Sequence, residues 1–169
     1  MEPQEYFAIL PLLVYGIAIA ELVSPWRIFF EDKKPFIPFI LTGIMMLEVA
    51  FYNFYQFFSQ LENTYQSYFI FLTYLFSPLI FLMAAHVYTP ESKADLDIRD
   101  YFNKRFKLLM ILLSIFVASH FVVDFEFGLK LIVRLVFIAV MLTAAFTRWV
   151  WLVYVLLFFR LTYTIIHAI

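Results

Sequence analysis

The chain of 169 residues has no cysteine. That absence excludes disulfides, thiolate metal sites, iron–sulfur clusters and any thiol nucleophile. Glycine is nearly absent too, with three residues, so there is no glycine-rich loop to cradle a phosphate. Charge is sparse: 15% of residues are Asp, Glu, Lys or Arg, and they almost cancel to a formal net charge of -1. The three histidines, His86, His120 and His167, are scattered along the chain, whereas a zinc site wants three or four clustered ligands. They also lie at unmatched depths, which removes a bis-histidine haem. No serine has an evident base and oxyanion partner. No cofactor, metal, catalytic residue or nucleic-acid duplex is therefore expected, and no enzyme. The acidic start, Met1-Glu-Pro-Gln-Glu5, lacks the positive region of a cleaved signal peptide. The first apolar segment is expected to be retained.

What is abundant is apolar surface. Hydrophobic residues make up 64% of the chain and aromatics 22%, with a mean hydropathy of +0.88. A soluble domain is about 45–50% apolar, so this is the composition of a bilayer-embedded protein. A spanning helix needs ~20 mostly apolar residues. The sequence predicts a single all-α domain, residues 1–169, with about six such spans. They run from Tyr6 to Trp26, Phe36 to Gln60, Ser67 to Tyr88, Phe106 to Val123, Leu129 to Phe146 and Trp149 to His167. Two of the connections, at Asp124–Gly128 and Phe146–Trp149, are short. If either fails as a turn, two segments merge and the number falls to five.

The loop charges orient the bundle. The first, third and fifth loops hold Arg27, Lys33, Lys34, Lys93, Arg99, Lys104, Arg105, Lys107 and Arg148, whereas the opposite side has only Lys130 near its border. The positive-inside rule places the odd loops in the cytoplasm and both termini outside. Trp26, Trp149 and Trp151 then fall at the inner interface, and Tyr52, Tyr55, Tyr65 and Tyr68 near the outer one, as in aromatic belts. In the longest loop, Thr89 can cap a helix that has Pro90 at its first position. Asp95, Asp97 and Asp100 come early and Lys104, Arg105 and Lys107 late, which suits a helix dipole. Ile98, Tyr101, Phe102 and Phe106 share one face. A short cytoplasmic interfacial helix leading into the fourth span is expected, and residues 90–107 can alternatively dock a cytoplasmic partner or an anionic signal.

Ionisable residues inside the spans are the candidates for function, because a charge at the bilayer centre costs at least ~2.5–3.5 kcal/mol unless it is paired or wetted. Glu48 lies twelve residues beyond Phe36, with Arg160 and Arg134 at similar distances from Trp149 and Phe146. At ~1.5 Å per residue each is ~18 Å from the cytoplasmic edge, so the three can meet near the midplane. They form either an ion network that locks the helices, or part of an ion, proton or anionic-ligand site. Beyond that level the helix faces become polar. Arg160, Tyr163, Thr164 and His167 share one face. Glu48, Tyr52, Tyr55 and Ser59 form a stripe on the second span, with Asn53, Gln56 and Gln60 beside it. His120 and Asp124 end the fourth span, and Lys130 and Arg134 begin the fifth. The pattern predicts an outward, water-accessible pocket of Asn53, Gln56, His120, Asp124, Lys130, Tyr163, Thr164 and His167, floored by Glu48, Arg134 and Arg160. A thick polar interface is the plainer alternative. Near the inner face, Glu21 and His86 lie at similar depths, as a proton-relaying pair or a structural hydrogen bond. Gly16 and Ala20, and Ala139 and Thr143, put small residues four apart. That permits close helix approach, within the monomer or at an oligomer seam.

The segments Glu5-Tyr-Phe-Ala-Ile-Leu10, Tyr74-Leu-Phe-Ser-Pro-Leu-Ile-Phe-Leu-Met-Ala-Ala85 and Asp97-Ile-Arg-Asp-Tyr-Phe102, with the small-residue stretch at Gly16, resemble a broad group of small, largely uncharacterised bacterial membrane proteins. The resemblance implies a bacterial inner-membrane location and brings no catalytic residues. The expected function is an oligomeric membrane channel or permeability effector, in contact with the lipid bilayer and with copies of itself. A small-ligand or lipid-binding sensor or transporter is the first alternative, and a membrane-embedded enzyme the second.

Overall fold

The apolar runs form six helices among the residues that the computed structural model describes, which are 3–26, 36–59, 68–90, 97–123 and 127–168. They are α1 (Pro3–Val23), α2 (Ile37–Ser59), α3 (Tyr68–Tyr88), α4 (Ile98–Val123), α5 (Leu129–Thr147) and α6 (Leu152–Ala168). Four stretches are long and apolar enough to cross a membrane: Ile37–Phe57, Tyr68–Tyr88, Ile98–Val122 and Leu129–Thr147. Ile9–Val23 and Leu152–Thr164 are shorter apolar helices. Large apolar side chains such as Phe69, Val122, Ile132 and Phe146 face outward. Water would penalise such a surface, and lipid does not. The chain is a multi-pass, all-helical membrane protein in contact with the bilayer.

The helices close into a ring. Each packs on two neighbours in the order α1, α3, α4, α5, α6, α2 and back to α1, and α2 also touches α4 across the middle. One end of the ring carries the described basic residues Arg99, Lys104, Arg105, Lys107 and Arg148 and is called the basic end here. Near that end the ring is plugged by aromatics. Phe39, Tyr88, Phe102 and Phe106 are all fully buried. The rings of Phe39 and Tyr88 stack 4.4 Å apart, and Phe102 meets Phe39 edge-on at 5.7 Å. The Tyr88 hydroxyl donates to the Phe39 carbonyl at 3.0 Å, so its one polar atom is satisfied inside the plug. Tyr88 lies this close to α2 because Gly43 has no side chain: the hydroxyl occupies the space that a β-carbon there would fill.

Several boundaries differ from the sequence reading. α4 is one unbroken helix from Ile98, about 39 Å long for its 26 residues, with no separate interfacial helix among the described residues. Its cap is Asp97, whose Oδ1 accepts from the amides of Arg99 (2.9 Å) and Asp100 (3.2 Å). The expected cap, Thr89, instead donates to the Glu21 carbonyl at 2.9 Å. The face of Ile98, Phe102 and Phe106 packs into the bundle rather than lying in the membrane interface, because α2 and α3 offer it an aromatic partner surface. The Tyr101 hydroxyl is shared between the carbonyls of Val87 (3.0 Å) and Thr89 (2.9 Å). On the exposed side of this segment Lys104 pairs with Asp100 at 2.6 Å, and Lys107 lies 5.3 Å from the centroid of the Phe146 ring.

The short connection after α5 is a true turn. Arg148 takes the left-handed conformation at φ 54°, a helix-ending geometry usually given to glycine. The Thr147 hydroxyl accepts from the Trp149 amide at 3.3 Å. The next helix starts at Leu152, three residues later than expected. The small-residue pairs are not core contacts. Gly16, Ala20, Ala139 and Thr143 are exposed, and a β-carbon at Gly16 would meet nothing within 4 Å. The buried small residues are Ala18, Ala84, Ala85, Ala144 and Ala145.

Candidate functional site

Opposite the basic end the ring encloses a cavity of about 530 Å³, and every helix contributes to its wall. Its deep part is apolar, built from Met45, Leu113, Met141 and Leu156. Tyr15 and Phe116 line it as well and lean on the buried Phe81, with ring centroids 5.9 and 5.0 Å away. α3 adds an unusual element here, Ser77-Pro78. Proline has no amide hydrogen, so no backbone hydrogen bond runs from residue 78 to the preceding turn. Ser77 is only 6% exposed. Both residues line the cavity, so a hydroxyl stands in an otherwise apolar part of its wall.

The shallower part is polar and cationic. α2 brings Tyr52, Asn53 and Gln56, α4 brings His120, α5 brings Lys130 and Arg134, and α6 brings Arg160 and Tyr163. The best-defined group is a clamp on Glu48. Arg160 donates from Nε to Oε2 at 2.5 Å and from Nη2 to Oε1 at 3.2 Å. Thr164 adds its hydroxyl to Oε1 at 2.9 Å. The forked pairing is the strongest geometry that arginine and a carboxylate can adopt. The guanidinium also lies over the Tyr52 ring, 4.7 Å from its centroid. The two side chains are 13% and 22% exposed, so the pair is largely desolvated but borders the cavity.

Of the two arginines expected near Glu48, Arg160 grips the carboxylate. Arg134 stands in the cavity wall with its guanidinium 5.9 Å from the Phe121 ring centroid. His120 lies between helices, with Nδ1 2.8 Å from the Phe116 carbonyl and Nε2 2.9 Å from Oδ1 of Asn53. Asn53 is itself oriented by donating to the Val49 carbonyl at 2.8 Å. This network ties α2 to α4 at the cavity wall.

Other expected residues sort differently. Tyr55 points outward at 74% exposure, because it lies about 60° round the helix from Tyr52, on the side away from Asn53 and Gln56. Asp124 and Gln60 lie outside the described residues, as does the side chain of His167. Glu21 and His86 approach only to 3.9 Å, with His86 79% exposed. That is too long for a hydrogen bond, so they form no buried relay. The deep residues Tyr15, Ser77 and Pro78 were not singled out from sequence; a proline after a serine in mid-span was the available signal.

Among the described charges at the cavity there are three cations, Lys130, Arg134 and Arg160, against the one carboxylate of Glu48. No family model, no curated protein and no solved structure matches the chain, so what stands of its relationships is the broad class its own helices establish, a polytopic helical membrane protein.

Proposed function

We propose that the chain is a non-enzymatic membrane sensor or transporter that takes a small anionic group into the cavity. The observation that carries this reading is the set of three cationic side chains, Lys130, Arg134 and Arg160, in the cavity wall, where low-dielectric surroundings strengthen their pull on an anion. Inorganic phosphate or sulfate should raise the thermal stability of the detergent-solubilised protein. Arg134→Gln, which leaves the Glu48 clamp in place, should weaken that effect about tenfold, since a hydrogen bond to a charged group contributes ~1.5–3 kcal/mol. Absence of any anion-dependent stabilisation, or the same response in the variant, would overturn the reading.

The loop charges orient the site. We infer that all six helices cross the membrane, that the basic end faces the cytoplasm, and that the cavity and both termini face outward in a bacterial inner membrane. Reporter fusions at residues 33, 97 and 169 test this. The first two should report cytoplasmic and the third external. A cytoplasmic C-terminus would mean that α6 does not cross.

An oligomeric channel is the second reading. It is favoured by the small-residue faces at Gly16/Ala20 and Ala139/Thr143, which point away from the bundle and permit close approach of another copy. Conduction would then run between subunits, because the aromatic plug of Phe39, Tyr88, Phe102 and Phe106 fills the monomer's basic half.

A further inference from the structure

A second cavity of about 280 Å³ lies on the outside of the bundle, between α5 and α6. Its walls are almost wholly apolar: Ile132, Val136 and Val140 from α5 face Phe159 from α6. Ile132, Val136 and Phe159 are exposed, at 60%, 43% and 47%, so the groove opens toward lipid. Its span along α5, from Leu129 to Val140, is about 16 Å, the reach of a medium acyl chain.

The groove and the central cavity are back to back. Val133, Phe137, Leu156 and Tyr163 line both. On α5 the two faces are neighbouring stripes of one helix. Leu129, Ile132, Val136 and Val140 turn to the groove, Lys130, Arg134 and Met141 turn to the cavity, and Val133 and Phe137 stand between them. A wall one side chain thick therefore separates an apolar slot in the bilayer from a cationic chamber. The α5–α6 packing is among the lighter contacts of the ring. The wall side chains include two aromatics, Phe137 and Tyr163.

We propose that the anionic group bound in the cavity belongs to a membrane amphiphile, a phosphate-headed lipid, which enters sideways between α5 and α6 and leaves its acyl chain in the groove. This rests on the anion-binding reading above and adds the ligand class and the route. The selectivity comes from the headgroup: moving a chain from bilayer to groove exchanges one apolar surroundings for another and contributes little.

The test uses the full chain in phosphatidylcholine nanodiscs containing a trace of lipid with a photoreactive acyl chain. Phosphatidic acid is one probe, and phosphatidylcholine with the same chain is the control. On illumination, phosphatidic acid should label peptides covering residues 129–140 and 156–163 about tenfold more than the control. Excess inorganic phosphate should suppress that labelling and leave the control unchanged. Lys130→Gln with Arg134→Gln should erase the preference. Equal labelling by both lipids, insensitive to phosphate, means ordinary annular lipid and overturns the proposal. If free phosphate stabilises the protein while lipid labelling stays unselective, the lateral route fails and the anion site survives. If neither binds, both fall.

Discussion

Replacing Glu48 with Gln is expected to destabilise the protein by roughly 3 kcal/mol, the low end of what breaking a buried ion pair costs. The carboxylate accepts two hydrogen bonds from Arg160 and one from Thr164. After Glu48→Gln the guanidinium of Arg160 keeps its charge and is still mostly desolvated, but it faces a neutral amide with one accepting oxygen in place of the carboxylate, beside the rings of Tyr52 and Tyr163. The effect is held to the low end because the cavity lets water reach one side of the pair. Arg160→Leu alone should also destabilise, by stranding the carboxylate. The double variant should recover much of the loss, since a buried pair replaced by apolar residues of similar volume is often neutral or stabilising. Equilibrium unfolding of the four proteins in mixed micelles measures the coupling. Additive costs with no recovery would mean that the clamp does not couple α2 to α6.

Gly43→Ala should cost about 2–3 kcal/mol, an overpacking effect in a site that cannot relax. A β-carbon at Gly43 would overlap the Tyr88 hydroxyl and lie 3.0 Å from Cζ of the same ring. Flexible neighbours can yield to such a contact, but Tyr88 is fully buried, stacked on Phe39 and anchored by its hydroxyl to the Phe39 carbonyl. Removing the hydroxyl separates the causes. Tyr88→Phe alone should cost about 1 kcal/mol for the lost hydrogen bond. Combined with Gly43→Ala it should cost clearly less than the two losses added, because the overlapping atom is gone. Strict additivity in unfolding experiments would show that Gly43 matters for a reason other than its approach to Tyr88.

The two sites differ in how far they were legible beforehand. Glu48 and Arg160 announced themselves, because an ionised side chain deep in an apolar run demands a partner. Their similar distances from helix ends made a meeting possible. Which arginine would take the carboxylate was not legible. Arg134 lies at a comparable depth, and only the neighbour order of the helices places α6 beside α2 and leaves Arg134 on α5, one helix further round. Gly43 carried no such signal. Its role depends on Tyr88, forty-five positions away, and on a side chain that Gly43 itself lacks.

The same division runs through the polar half of the bundle. Helical spacing put Asn53 and Gln56 on one face and Arg160 and Tyr163 on another. The bond between His120 and Asn53 arises because α4 crosses toward α2 inside the ring. Spacing also misled. Tyr55 was grouped with Tyr52 yet looks outward, and Gly16 looks outward too, which leaves the oligomer seam and not the monomer core as its possible contact. In a membrane chain apolar residues cover the lipid side as well as the core, so hydrophobic periodicity loses its power to tell inside from outside.

The amino-acid sequence by itself determined the helical, bilayer-embedded character of this protein, the sites of its turns to within a few residues, and the confinement of polar side chains to one half of the bundle. Those properties follow from local composition: a run of apolar residues must satisfy its backbone internally, wherever its neighbours are. Tertiary structure alone decided the ring order of the helices, the aromatic plug, the partner of Glu48, and the wall shared by Val133, Phe137, Leu156 and Tyr163 between a cationic cavity and an apolar groove. Those depend on which faces meet, and side-chain volumes and shapes choose among faces only when the helices pack together.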